Sequence, residues 1–375
     1  MSALPDEAYV MALSSLPGVG PARLSALLGL GDPRTVWQSI ATGDRRIADV
    51  AGRADRVAAW RASTGEVDVG ERWAELRRSG VGLLWRGGAG FPIPLVDDPE
   101  PPEVLFVRGD AGCLAAQRVA IVGTRRCTRY GRDLAYELGA VLAEADVTVV
   151  SGLARGIDAA AHRGALDAGG AAPVGVVGTA IDTPYPRENV ALWAEVAAAG
   201  LVCGEAAPGV PTERWRFPAR NRIIAGLADV VVVVESAERG GSLYTAAQAF
   251  DRGRVVMAVP GPIRSAASLG ANRLLADGAH PLCAVSDVLE VLGLVAPLPV
   301  DAPAPPTLAP TATAVLDALG WQAATLDQVA TGAGLDLANV ALALDDLERL
   351  GLVARRGGWY ERVHRIRPSA GSNGP

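Results

Sequence analysis

The sequence predicts a doubly wound α/β domain built on a parallel sheet, preceded by a small helical domain and followed by a winged helix. Three observations carry this prediction. Between Val119 and Pro260, short β-rich apolar runs alternate with segments long enough to cross over to a parallel neighbour. The first 66 residues show apolar positions at helical spacing and short turns. Near the C-terminus, a helix-turn-helix order leads into a hairpin. A length of 375 residues suits this multi-domain reading.

Met1 to about Glu66 read as short helices joined by turns. Leu16-Pro17-Gly18-Val19-Gly20-Pro21, with Leu24, Leu27 and Leu28 behind it at helical spacing, resembles a helix-hairpin-helix of SAM-like type. Such a glycine turn can aim backbone N–H groups at a DNA phosphate. It serves equally as a packing turn, since only Arg23 lies close to it. From Trp73 to Asp110 the chain changes character, with strands expected at Gly80–Trp85 and Val104–Gly109 around a proline-rich connection. Then come the strand starting at Val119 and the runs Val147–Gly152, Pro173–Gly178, Leu201–Glu205, Val230–Ser236 and Val255–Pro260. The expected divisions are a helical domain over 1–70, the sheet domain over 71–295, an extended Pro- and Ala-rich linker over 296–310, a winged helix over 311–365 and a flexible tail over 366–375.

In the last module, helices are expected around Val315–Leu319, Leu326–Thr331 and the stretch bearing Leu337, Val340, Leu344 and Leu347. The wing is expected as Leu352–Ala354, a turn over Arg355–Gly358, and Trp359–Glu361. The third helix carries Asp336, Asp345, Asp346 and Glu348, which repel DNA phosphates. Arg355, Arg356, Arg362, Arg365 and Arg367 fall in the wing and tail. That division of charge favours protein contact or tethering over groove reading.

Composition excludes several chemistries. All 35 basic residues are Arg, so a P-loop Lys, a Schiff-base Lys and a Ser–Lys dyad are ruled out. The three His (His162, His280, His364) and the widely spaced Cys113, Cys127, Cys203 and Cys283 lack metal-ligand spacing, and the cysteines suit reduced core thiols. A net charge of −6 argues against coating nucleic acid by bulk charge and leaves anion binding to local Arg clusters. Apolar runs such as Ala228–Val234 fall far short of a membrane span, and no signal pattern opens the chain, so a cytoplasmic location is expected.

The clusters sit where strands end. In VAIVGTRRCTRYG (119–131), an apolar strand breaks at Gly123, and Arg125, Arg126 and Arg129 precede a helix whose free N–H groups favour an anion. Thr124, Arg125 and Arg126 stand where a dinucleotide fold needs small residues, so no nicotinamide cofactor is expected, nor any other. Forked arginines instead suit the phosphates of a polymer. The second run ends in SGLARGID, where Gly152, Gly156 and Asp158 shape the turn and Ser151 and Arg155 are the candidate ligand contacts. His162 lies one helical turn from Asp158 and reads as a polar partner orienting that loop. Further on, Arg187 follows Tyr185-Pro186, and RWRFPARNR (214–222) interleaves Trp215 and Phe217 with Arg214, Arg220 and Arg222 beside Asn221. Aromatic rings stack on bases while arginines hold phosphate in single-strand binders, although the same rings can pack inward. Gly240-Gly241-Ser242 opens another helix N-terminus.

Taken together, VAIVGTRRCTRYG, SGLARGIDAAAH, YPREN, FPARNRIIAGLADVVVVVE, GGSLYTAAQA and AVPG followed by GANRLLADGA resemble the DprA/Smf family of DNA-processing proteins, over about Phe91 to Leu292. The resemblance implies a Rossmann-like sheet domain, and a homodimer without enzymatic activity that binds and protects single-stranded DNA and loads the RecA recombinase in transformation and recombination. It also implies that Arg125 is a DNA phosphate ligand beside Gly123 and Thr124, with Arg187 and Arg214 as further basic contacts. The family often has Ser where Thr124 and Cys127 stand here; Thr keeps the hydroxyl, and Cys loses most of its hydrogen-bonding strength. Tyr244 replaces a commoner aliphatic residue, and Ala271 a commoner Thr. A rival reading is a nucleotide-processing enzyme of the Lonely Guy phosphoribohydrolase type, for which Asp158, Glu205 and Glu235 are the available acid/base residues.

Overall fold

The structure is a computed structural model that describes residues 4–294, 308–320 and 323–362. It divides into two compact units, with the boundary between residues 296 and 297. The tail expected over 366–375, and all but the last three residues of the linker expected over 296–310, lie outside the described residues.

The first unit is organised by a nine-stranded sheet in the order β1-β2-β6-β5-β4-β3-β7-β8-β9. Its strands are β1 Gly82–Trp85, β2 Val104–Gly109, β3 Arg118–Val122, β4 Thr148–Ser151, β5 Val174–Val176, β6 Leu201–Gly204, β7 Val230–Val233, β8 Val255–Ala258 and β9 His280–Pro281. From β6 to β9 every pairing is parallel, while β1 and β2 add an antiparallel edge. The expected doubly wound sheet is therefore present, and its strand order reverses beside β3. The chain runs outward through β4, β5 and β6, then returns to place β7 on the other side of β3.

Period-two alternation explains why these strands read as unbroken apolar runs. Val119 and Ile121 of β3 pack with Leu138 and Ala161 from helices Arg129–Glu144 and Ile157–Ala168 on one face. Ala120 and Val122 pack with Ile224 and Ala246 from helices Arg216–Leu227 and Ser242–Asp251 on the other. A strand covered on both faces has no polar side to show. Each fully buried Val, Leu or Ile contributes about 1.5–3 kcal/mol. A bidentate ion pair also lies in this unit: Arg252 Nε and Nη2 donate to Asp98 at 2.7 and 2.8 Å, with both side chains almost completely buried.

Several strands are shorter at their C-terminal ends than their apolar runs suggest. Gly152, Gly178 and Glu235–Ser236 lie in the loops above the sheet, while Val177 N and Val234 N still donate to the Cys203 and Val122 carbonyls of the neighbouring strands at 2.8 and 3.1 Å. β9 has no sequence signal, because two residues ending in proline carry neither periodicity nor a full set of donors.

Six helices precede the sheet: Asp6–Ser14, Pro21–Leu28, Pro33–Thr42, Arg45–Ala51, Ala54–Glu66 and Val69–Arg78. Their core is continuous with Leu83, Phe106 and Val202 of the sheet. Trp60, fully buried, donates its indole N–H to the Pro17 carbonyl at 2.9 Å and so fixes the hairpin turn between the first two helices.

The second unit is a winged helix, with helices Pro310–Leu319, Leu326–Ala333 and Leu337–Arg349 and wing strands Val353–Arg356 and Trp359–Arg362. A short strand, Ala324–Thr325, pairs with the second wing strand. Arg355 and Arg356 belong to the first wing strand, not to the turn as expected. The turn is only Gly357-Gly358, both with positive φ, which is the geometry a two-residue hairpin loop requires. Asp336, Asp345, Asp346 and Glu348 are all exposed, as their positions on the third helix predict.

Candidate nucleic-acid interface

In a doubly wound sheet, ligands bind outside the strand C-termini where the strand order reverses. A cleft of about 820 Å³ lies there, between the loops that follow β3 and β7. It gathers ten of the thirteen expected contacts: Gly123, Thr124, Arg125, Arg126, Arg155, Arg214, Arg220, Asn221, Gly241 and Ser242. Among the described residues, five arginines line it, against Asp158 as the only acid.

The loop after β3 is held from below. Glu235, buried just beyond β7, accepts from Thr128 N at 2.9 Å and from Thr128 Oγ1 at 2.5 Å. Thr128 in turn caps helix Arg129–Glu144 by accepting from Gly131 N at 3.1 Å. The Glu235 carbonyl also accepts from Thr124 N at 2.8 Å. Space for this bracing depends on two glycines. A Cβ on Gly131 would lie 2.4 Å from Glu235 Cδ, and one on Gly123 would lie 2.5 Å from Ile157 Cγ1.

That framework leaves Arg125, Arg126 and Arg214 exposed, with no hydrogen bond or ion pair from their side chains among the described residues. Arg155, also exposed, reaches Glu188 at 3.3 Å, a contact worth little in solvent. Tyr185 and Phe217 stand together on the cleft wall with ring centroids 5.2 Å apart. Tyr244, 65% exposed, faces the cleft as well, so its substitution for an aliphatic residue alters the lining.

Other expected contacts serve as framework. Arg220 is buried, donating to the Gly152 carbonyl at 2.8 Å, to the Val176 carbonyl and to Asn221 Oδ1 at 3.0 Å. It thereby clamps the ends of β4 and β5 under the cleft. Ser242 donates to Ser236 Oγ at 2.9 Å, and Asn221 Nδ2 to the Gly241 carbonyl at 3.4 Å. Ser151 lies outside the cleft, fully buried, with its hydroxyl donating to the Ile121 carbonyl at 2.6 Å. Arg222 is also outside, paired with Glu205 at 2.7 Å. Arg187 is exposed in the turn Arg187–Asn189 and does not line the cleft.

Asp158 accepts from Gly152 N at 3.1 Å and Ala154 N at 3.4 Å, ordering the loop after β4. Burial pushes its carboxyl above the ordinary range, while Arg220 and Arg125 pull it back. His162 does not join it, as its spacing suggested. Neither ring nitrogen has a hydrogen-bond partner among the described residues, and burial pushes its pKa down to about 3 despite the Ser151 backbone nearby. No cluster of His, Cys, Asp and Glu among the described residues has the makings of a metal site. No described helix is long and apolar enough to cross a membrane.

Fold and site together define a doubly wound α/β protein with an arginine-lined cleft at its strand-order reversal and an appended winged helix. Residues 83–293 match the family DNA recombination-mediator protein A, and residues 299–358 match the DprA winged helix domain. The chain belongs to the DprA/Smf family of DNA-processing proteins. It is 44% identical over 264 residues to the putative DNA processing protein DprA of Mycobacterium tuberculosis, covering 68% of each chain. Over 283 residues it is 36% identical to protein Smf of Escherichia coli, covering 73% of this chain and 75% of that one. The solved structure of DNA processing protein A from Streptococcus pneumoniae superposes with a TM-score of 0.66 at 31% identity, covering 77% of this chain and 98% of that one. That of Helicobacter pylori, which concerns the single-stranded DNA binding mode of that protein, gives 0.52 at 28% identity over 56% and 95%.

Proposed function

We propose that this protein binds single-stranded DNA in the cleft beside β3 and β7, protects it, and delivers it to the RecA recombinase as a homodimer formed through the Rossmann-like domain. The observation that carries the binding reading is the set of unpaired arginines Arg125, Arg126 and Arg214 on a braced loop framework, with the Tyr185–Phe217 pair beside them. Arginines supply phosphate contacts that ignore sequence, and aromatic faces accept any unpaired base. Family membership and the Helicobacter pylori relative support the single-strand substrate. Delivery to RecA and dimer formation rest on the family resemblance.

A binding role fits the carboxylates better than hydrolysis does. Glu235 braces Thr128, Glu205 neutralises Arg222, and Asp158 holds two backbone N–H groups. Each of the three candidate acid/base groups has a framework task. The test is equilibrium binding of a single-stranded and a duplex oligonucleotide by the intact protein and Arg125→Ala across a salt series. Losing one phosphate contact should lower the single-strand salt slope by about 0.7 and weaken binding several-fold at low salt. Unchanged affinity and slope would mean that Arg125 does not hold the strand.

A further inference from the structure

A second cleft of about 890 Å³ in the first unit has no part in the function proposed above. One wall is the Leu16–Pro21 hairpin and the start of helix Pro21–Leu28; the other is the loop after β6 with Trp215 and Arg216. Resting on the single-strand reading of the first cleft, we infer that the same DNA strand continues into this one, so that the binding path ends on the helix-hairpin-helix of the helical segment.

Continuity supports this occupant. Arg220 lines both clefts, and its guanidinium clamps the backbone between them. Gly178, behind Tyr185 and Phe217 in a small recess next to the first cleft, also lines the second. At the junction, Trp215 is 53% exposed with the Arg216 guanidinium 4.7 Å from its ring centroid. A paired ring and cation at the surface is a stacking platform for an unpaired base, which a duplex does not present.

Charge supports it as well. Among the described residues, five arginines line the second cleft; Arg222 pairs with Glu205 at 2.7 Å and Arg216 with Glu213 at 3.4 Å, while the other lining carboxylate, Glu103, pairs with Arg86 at 2.9 Å. Arg72 makes no ion pair among the described residues, and Arg23 donates only to the Gly18 carbonyl at 3.0 Å. The hairpin is held in shape by the buried Trp60, which donates to the Pro17 carbonyl, and at the surface by Arg23 on the Gly18 carbonyl. A phosphate there meets the two arginines, Arg23 and Arg72, that make no ion pair among the described residues.

The experiment compares oligothymidylates of about six and about 20 nucleotides, lengths that bracket the span of a single binding module. Each is titrated against the intact protein, Trp215→Ala, the double variant Arg23→Ala/Arg72→Ala, and Arg125→Ala. The second cleft predicts about a tenfold loss for the long oligonucleotide in both Trp215→Ala and the Arg double variant, and no change for the short one. Arg125→Ala should weaken both lengths. Photocrosslinks from the long oligonucleotide should map to peptides containing residues 16–23. If the Trp215 and hairpin variants bind both lengths like the unaltered protein, or lose both equally, the second cleft is not on the DNA path and is left for another partner. If Arg125→Ala alone has no effect, it is the first reading that fails.

Discussion

Replacing Glu235 with Ala tests the bracing that shapes the arginine loop after β3. The substitution removes a buried carboxylate that accepts from Thr128 N at 2.9 Å and from the Thr128 hydroxyl, and leaves both Thr128 donors to solvent. Hydrogen bonds to a charged group contribute about 1.5–3 kcal/mol each, and a weakened N-cap costs about 1 kcal/mol more. Allowing for partial rescue by water, the loop after β3 and the first turn of helix Arg129–Glu144 should open about 3 kcal/mol more readily. At about 1.4 kcal/mol per factor of ten, that is roughly a 100-fold loss of protection in native-state hydrogen exchange. The assay follows amides of residues 123–134 in the intact protein. Glu235→Gln keeps one acceptor and should lose roughly tenfold, about half the free energy. Protection unchanged in Glu235→Ala would refute the claim that this carboxylate is a structural brace.

Two further perturbations address the framework. Asp98→Ala leaves Arg252 buried and unpaired, and should destabilise the protein by about 3–5 kcal/mol in urea unfolding; a loss under 1 kcal/mol would show that water reaches the guanidinium. His162 is neutral in the fold with its pKa down at about 3, whereas the unfolded chain takes up the proton near 6.5. Stability is therefore full above 6.5 and declines as pH falls toward 3, by on the order of 4 kcal/mol from this residue. His162→Gln should flatten that decline relative to the unaltered protein, while Asp158, whose pKa is raised by burial, acts in the opposite sense in both. Parallel pH profiles for the two proteins would contradict the assignment.

Much of this architecture was legible in the sequence because strands buried on both faces announce themselves. Val119–Val122 and Val230–Val233 are continuous apolar runs for that reason, and the loops that follow them carry the cleft. The arginine loop was legible for the same reason, since it begins where the apolar run stops. Residue type, however, does not tell which way a polar group points. Arg220 and Arg125 look alike in sequence, yet one is buried against carbonyls and the other is exposed. Ser151 and Arg222, expected as ligand contacts on the same ground, are turned to the Ile121 carbonyl and to Glu205. Glu235 meets Thr128 across 107 positions, and only the parallel pairing of β3 with β7 brings them together. The second cleft was half visible as a hairpin motif, but its other wall comes from residues almost 200 positions later.

The most direct test of the account is the structure of the intact protein bound to a short oligothymidylate. The account predicts phosphates at the C-terminal ends of β3 and β7, within hydrogen-bond reach of Arg125 and Arg126, with an unpaired base against Tyr185 or Phe217. Density for the strand on the winged helix, with the cleft beside β3 and β7 empty, would contradict it.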